Sequence, residues 1–352
     1  MKLVLCAVAA AASASLSPLS GAGAVRSLEF IADQPPTHSS HASTVIESPE
    51  GLLSAWFGGT DEGNPDVGIW MSRLQGGHWT APVEIARGDE ETDGRTYACF
   101  NPVFFQDGIG PLYLSYKVGP RPDSWWGRIK VSRDNGRTWS KSERLPTGII
   151  GPVRNKPILR STGVWLCGAS DESAGWRVHM ERTRDPMGFW HRTEDLNNPM
   201  DMGAIQPTLL PWPDGRIQIL ARTKQGVIAE SWSEDGGATW PKLKRLSFPN
   251  PNSAIDGVVL KQGYAVLACN PSSTSRDMLA LARSKNGKEW ETVVELERGT
   301  GEFSYPAVIQ SVDGLIHITF TWKRQKIRHA VVDPALLPAF AQEPSSVGKP
   351  KR

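Results

Sequence analysis

The chain has 352 residues, 39% hydrophobic and 22% charged, which is enough to bury a substantial core and too apolar for a disordered polymer. Lys plus Arg (39) nearly cancels Asp plus Glu (37), so the net charge of +2 excludes a global attraction to nucleic acid or to an acidic membrane. Fourteen Trp and 34 Gly, with 27 Pro spread through the chain, argue for many short strands joined by tight turns and against a helical bundle.

Residues 1–24 read as a secretory signal peptide. Lys2 precedes an Ala-rich apolar stretch that Ser and Pro interrupt before it could span a membrane, and Ala22-Gly23-Ala24 supplies a cleavage site before Val25. The mature protein is therefore expected to be secreted or periplasmic. Cys6 lies in the removed segment; Cys99, Cys167 and Cys269 cannot all pair, and buried free thiols are expected, with at most one bridge.

The remaining chain is periodic. Trp79, Trp139, Trp190, Trp240 and Trp290 recur in one local context, the last three intervals being 51, 50 and 50 residues. Ser132 to Trp139 and Ser233 to Trp240 form full Ser-x-Asp-x-Gly-x-Thr-Trp turns; Ser72 to Trp79, Thr183 to Trp190 and Ser284 to Trp290 are degenerate copies. In such a turn the Asp or Asn bonds backbone amides, Gly accepts a positive φ, and Trp covers the next unit. A Gly also opens an apolar strand at Gly51, Gly108, Gly163, Gly215, Gly263 and Gly314, which makes six units. Each unit reads as four strands, so the expected fold is all-β: a six-bladed β-propeller with four-stranded antiparallel blades over residues 25–337. Val25 to Ile31 should supply the strand missing from the sixth blade and close the ring, and residues 338–352 should form a disordered tail.

The inner strand of a blade starts at the binding face, so residues at equivalent strand starts converge on the axis. Asn101, Lys156, Gln206 and Tyr305 each precede a Pro and an apolar strand, and His41 and Asp256 are placed in the same phase. All six can hydrogen-bond or titrate, which suits a carbohydrate-degrading funnel. Loops opening on that face carry Asp61, Glu62, Asp66, Lys117, Arg121, Asp171, Glu172, Arg222, Lys224, Arg276, Lys323 and Arg324. Cations outnumber acids there, and with Arg154 and Lys156 they predict an acidic ligand such as a sugar carboxylate. Trp125 and Trp126 would offer a stacking surface for a sugar ring, or pack between blades.

These turns and segments such as HASTVIESPEGLLSAWFGGTDEGNPDVGIWMSR, GPVRNKPIL, PNPNSAIDGVVL and EFSYPAVIQSVDGLIHITFTWKRQKIRHAVVD resemble the sialidase-like superfamily of Asp-box (BNR-repeat) proteins over nearly the whole mature chain. The resemblance implies three arginines on a substrate carboxylate, a Tyr nucleophile assisted by a Glu, and an Asp acid/base. Tyr305 stands where the nucleophile is expected. The Arg-Ile-Pro motif is absent, His38-Ser-Ser-His41 standing in its place, and Gln206 falls where the assisting Glu is expected.

Three readings follow. The resemblance, placed first, implies an exo-acting glycosidase that releases a terminal sugar from an acidic glycan, with Tyr305, His41 and Asp256 as catalytic candidates. His38, Asn101, Lys117, Trp125, Trp126, Arg154, Lys156, Gln206, Arg222 and Arg324 would then bind substrate. The residue types also suit a polysaccharide lyase that eliminates next to a uronic acid, with Arg154, Lys156 or Asn101 neutralising the carboxylate and His41 and Tyr305 as base and acid or in exchanged roles. The third is a non-catalytic glycan-binding propeller. No cofactor motif is present; His38 and His41 would need a third ligand from another blade to hold a metal, and none is expected. The expected partner is an acidic oligosaccharide or polysaccharide, with no nucleic acid and no membrane, and the protein is expected to be a monomer.

Overall fold

A computed structural model describes residues 21–90 and 92–340. Six antiparallel sheets form a ring, each contributed by one sequence unit. Blade one comprises Ser39–Ser48, Gly51–Gly59, Gly68–Gln75 and an outer edge split between His78–Trp79 and Val83–Ala86. Blade two is Ala98–Gln106, Leu112–Gly119, Trp126–Ser132 and Glu143–Arg144; blade three is Ile158–Leu159, Trp165–Asp171, Arg177–Thr183 and Trp190–Arg192. Blade four is Ala204–Pro211, Ile217–Thr223, Val227–Ser233 and Lys244–Pro249; blade five is Asp256–Val259, Ala265–Cys269, Met278–Ser284 and Glu291–Arg298. Blade six takes Phe303–Gln310, Ile316–Trp322 and Lys326–Val332 from one end of the chain and Val25–Phe30 from the other, with Val25 opposite Val332 and Phe30 opposite Arg328. That pairing completes the four strands of the sixth blade and closes the ring, as the six-unit count requires.

Each middle strand is buried on both faces because blades pack face to face, so its apolar residues run continuously rather than alternating. Phe57, Phe100, Phe104 and Leu114 fill the space between blades one and two, and Val266, Leu281, Val308 and Phe320 that between five and six. Each fully buried side chain of this size contributes about 1.5–3 kcal/mol. The Asp turns behave as their composition dictates. Asp134 Oδ1 accepts the Thr138 amide at 2.8 Å and the Ser132 hydroxyl at 2.7 Å, while the Gly136 amide donates to Ser132 Oγ. Asp235 repeats this with Thr239 and Ser233, and Trp240 caps the turn by donating to the Gly237 carbonyl. Cys99, Cys167 and Cys269 are buried free thiols.

The chain ends pack more closely than the sequence suggests. Ala24 is fully buried, its carbonyl accepts from Asp333 N at 2.8 Å, and a Cβ at Gly21 would meet the Val293 carbonyl at 2.3 Å. The remainder of the expected signal peptide, residues 1–20, lies outside the described residues. Pro338 to Phe340, expected in the tail, are instead held on blade five: Arg283 donates to the Pro338 and Ala339 carbonyls and lies 3.8 Å over the Phe340 ring. The rest of that tail, residues 341–352, is also outside the described residues.

Where blade six meets the N-terminal strand, His317 Nδ1 lies 3.0 Å from His329 Nε2, and His329 Nδ1 lies 3.2 Å from Glu29 Oε1, which also accepts from the Trp79 indole. Burial pushes both imidazoles down, His317 to about 4, with the neighbouring His329 adding to the effect there. The unfolded chain binds protons near pH 6.5 that the folded pair refuses, so stability is full above that pH and is lost as pH falls toward about 4. Thermal unfolding should show a falling midpoint across this window, and the His317→Gln/His329→Gln double variant should have a visibly shallower acid slope; an unchanged slope would refute the assignment.

Candidate functional site

The site begins with a repeated backbone irregularity. On the inner strands of blades one, two, four and six the register skips: His41 opposes Phe57 but Thr44 opposes Ala55, and the same step occurs between Phe100 and Val103, Ile205 and Thr208, and Ser304 and Ala307. Within each bulge one non-glycine residue is left-handed: Ala42 (φ 56°), Asn101 (40°), Gln206 (57°) and Tyr305 (52°). A bulge re-aims a side chain and frees backbone groups from the ladder. Those groups find side-chain partners, since Ala42 N donates to Thr321 Oγ1, Gln206 N to Ser170 Oγ, and Asn155 Nδ2 to the Gln206 carbonyl. Arg154 Nη2 donates to the carbonyls of Tyr305 at 2.6 Å and Pro306 at 2.7 Å.

This register corrects one sequence-based equivalence. Ala42, not His41, matches Asn101, Gln206 and Tyr305, and His41 precedes the bulge by one residue. His41 is fully buried; its Nδ1 is 2.9 Å from Thr321 Oγ1, its ring packs 4.1 Å from the Tyr305 ring centroid, and its Nε2 has no partner. Burial, followed by the charges of Arg324, Arg154, Arg276 and Arg222, pushes its pKa well down, so it is a neutral imidazole behind Tyr305. A side chain with no exposed surface cannot touch a sugar, which moves His41 from a reacting to a positioning place.

Tyr305 is half-buried at the mouth of the axis. Arg222 Nη1 donates to its hydroxyl at 2.9 Å and to Gln206 Oε1 at 3.2 Å, while Arg222 Nε donates to Asn252 Oδ1. Arg154, Arg222 and Arg276 lie 5.5, 5.6 and 6.0 Å from the ring centroid. Arg276 pairs with Glu302 at 2.9 Å, and Glu302 also accepts from Ser304 and from Arg324, which reaches Glu62 as well. Burial would raise the Glu302 carboxyl, but Ser304, Arg324 and Arg276 together hold it below its ordinary range. Among the described residues no carboxylate is bonded to Arg154 or Arg222, so the Tyr305 hydroxyl sits beside uncompensated positive charge.

The other expected site residues divide. Asp256 is buried and saturated: Lys156 Nζ donates at 2.9 and 3.1 Å, Thr208 Oγ1 at 2.6 Å and Val308 N at 2.8 Å. It joins blades three, four, five and six, which corrects its catalytic assignment, and Lys156 is its counter-ion. Lys117 is buried away from the mouth, donating to the Pro152 carbonyl and Ser115, and burial lowers its pKa to about 7. Trp125 is buried against Phe100, which withdraws it from a sugar, and part-buried Trp126 packs against Tyr97 with Arg144 over its ring. Asn101 is buried at its bulge, and exposed His38 sits 3.2 Å from the Thr60 carbonyl. Among the described residues no group of three His, Cys, Asp or Glu could hold a metal, and no helix is long and apolar enough to cross a membrane.

Three residues gain importance. Arg276 joins the cation cluster, and Trp176 lies 5.2 Å from the Arg222 guanidinium and 4.5 Å from Lys224 Nζ. Glu172 is half-buried, and burial raises its carboxyl against the pull of Arg222 and Lys224. The sequence marks Glu172 and Arg276 as rim charges, but Trp176 carries no signal distinguishing it from the structural tryptophans.

Comparison with known proteins agrees with the six-bladed all-β ring. Residues 50–318 match the BNR repeat-like domain model, and the chain belongs to that family. No curated protein matches it. Among solved structures it is similar to a Hadza microbial sialidase (TM-score 0.73, 14% identity, 86% of this chain and 67% of that one). It is also similar to the intramolecular trans-sialidase of Ruminococcus gnavus (0.70, 12%, 89% and 98%) and to a Dyadobacter fermentans protein of unknown function (0.70, 14%, 87% and 99%). At these identities the likeness establishes the fold.

Asp256→Ala leaves Lys156, Thr208 and the Val308 amide without their acceptor. Denaturant unfolding should show a loss of about 3–5 kcal/mol, the range for breaking a buried ion pair from one side. A variant as stable as the parent would contradict the structural role.

Proposed function

We propose that this protein is an exo-acting glycosidase that cleaves the bond to a terminal anionic sugar, with Tyr305 as the reacting side chain and Arg222 and Arg276 facing the sugar carboxylate. The observation carrying this reading is the 2.9 Å contact between Arg222 and the Tyr305 hydroxyl inside a surplus of positive charge. Gln206 contributes to that surplus: a glutamate there would neutralise Arg222, whereas the amide only positions it. A carboxylate entering the mouth would meet planar guanidinium donors already desolvated by the propeller, the setting in which such bonds are strongest. The ring of blades supports attack on chain ends rather than chain interiors. The expected signal peptide supports action outside the cytoplasm; the glycan partner and the monomeric state are further parts of this proposal.

One observation favours a second reading. Among the described residues no carboxylate is hydrogen-bonded to the Tyr305 hydroxyl, so in this reading Tyr305, as its phenolate, takes the proton α to a uronate carboxylate that the arginines neutralise, the glycosidic carbon–oxygen bond breaks, and the phenol returns the proton to the departing oxygen, giving β-elimination.

Incubation with sialosides, hexuronides and uronate-containing polysaccharides, followed by mass spectrometry, separates the readings. Released sugar carrying one added water supports the glycosidase, and an unsaturated product establishes the lyase. Retained binding without product would return the weight to a binding propeller. Tyr305→Phe should lower kcat/KM at least ~10³-fold and Arg222→Met ~10²–10³-fold, at little cost in thermal stability.

A further inference from the structure

The segment PNPNSAIDGVVL crosses from the last strand of blade four to the first strand of blade five. Within it, half-buried Asn252 bonds two of the arginines that flank Tyr305. Arg222 Nε, from blade four, donates to Asn252 Oδ1 at 3.1 Å, and Arg276 Nη2, from blade five, donates to the Asn252 carbonyl at 2.6 Å. A guanidinium can only donate, so each contact requires an oxygen, and this one residue supplies both.

The backbone of Asn252 is left-handed, with φ 49°, a conformation that Asn and Asp tolerate better than other residues with a side chain. The turn is held by its own polar groups. Asn252 N donates to the Asn250 carbonyl at 3.0 Å, Asn250 N to the Gly226 carbonyl at 3.1 Å, and Asn250 Nδ2 to the Ser253 carbonyl at 2.7 Å, with Asn250 and Ser253 fully buried. Pro251, between the two asparagines, fixes a further backbone angle.

The two arginines differ in charge balance. Arg276 is answered by Glu302 at 2.9 Å, whereas the partners of Arg222 are the Asn252 amide, the Gln206 amide and the Tyr305 hydroxyl, all uncharged. An aspartate at 252 would have the same shape but would cancel the charge of Arg222. The amide oxygen orients that guanidinium and leaves its charge for an incoming anion.

Resting on the glycosidase reading above, we propose that Asn252 is the positioning residue for anion recognition: it sets the separation and orientation of Arg222 and Arg276 and keeps the charge of Arg222 available to the sugar carboxylate. It acts through the arginines and not on the reacting atoms.

The test is calorimetric titration of the protein with N-acetylneuraminic acid and with glucuronic acid, beside kinetics on the 4-methylumbelliferyl glycosides of both. Asn252→Asp keeps the size, the left-handed backbone and both contacts, so its thermal midpoint should equal or exceed that of wild type. Its Kd for the acid and KM for the glycoside should nevertheless rise at least ~10-fold, because Arg222 is neutralised from within. Asn252→Gly accepts the same φ and keeps the carbonyl contact with Arg276 but releases Arg222, and should raise Kd and KM ~10–100-fold, the effect of one lost hydrogen bond to a charged group. In an Arg222→Met background the Gly substitution should add less than ~3-fold, since its side chain acts through Arg222. Either variant binding the acids as tightly as wild type, or losses in both that track a lowered thermal midpoint, overturns the assignment of Asn252 and leaves the glycosidase standing. A wild-type protein that neither binds the acids nor cleaves either glycoside overturns the glycosidase reading, and the role of Asn252 falls with it.

Discussion

The interior of this propeller is organised by the requirement that backbone groups freed by a bulge must still be bonded. At four of the six inner strands the chain turns left-handed at a non-glycine residue, a conformation that costs of order 1–3 kcal/mol and persists only where its surroundings hold it. Those surroundings are the buried polar residues of neighbouring blades. Thr321 and Ser170 accept the freed amides, and Asn155 and Arg154 donate to the freed carbonyls. Asp256 receives an amide from blade six although its own strand has no bulge. Most polar side chains near the axis thus serve the fold first, and the ones that remain are the ones with chemistry to offer.

That division gives the arginines different meanings. Arg154 is almost fully buried, spends its Nη2 on two carbonyls, and has its pKa lowered to about 10 by burial. It locks the Tyr305 bulge from across the axis. Arg222 and Arg276 use their remaining donors on an amide, a carbonyl, a carboxylate and the phenol. The charge of Arg324 is answered by Glu302 and Glu62. The unanswered charge therefore lies near the Tyr305 hydroxyl rather than on the rim, where solvent would screen it.

The blade period, the closing N-terminal strand, the Asp turns and the free thiols were all legible because they are local or periodic. Inner-strand positions were legible to within one residue: the Pro following Asn101, Gln206 and Tyr305 marks the bulge, but blade one has Ser43 where the others have Pro, and without that marker His41 is aligned one place off. Individual roles were less legible, because they depend on partners from other blades. Asp256 looks like an acid until Lys156, a hundred residues earlier, is seen to occupy it. Trp125 and Trp126 look like a sugar platform until Phe100 and Tyr97 cover them. Lys117 alternates with residues that face the opposite way along its strand, and a charge count cannot tell a rim lysine from a buried one.

The neutrality of His41 completes this arrangement. Its ring packs against Tyr305, and each of the four arginines whose field reaches it makes a proton there less favourable. An imidazolium would add a fifth positive charge on a side chain with no exposed surface, so the ring stays neutral and packs as a wall against the phenol. An arginine at this place, as in the Arg-Ile-Pro motif that the chain lacks, would grip an anion directly. Here the neutral ring closes one side of the phenol, and the guanidinium groups of Arg222 and Arg276 are among its other neighbours, with Trp176 beside Arg222.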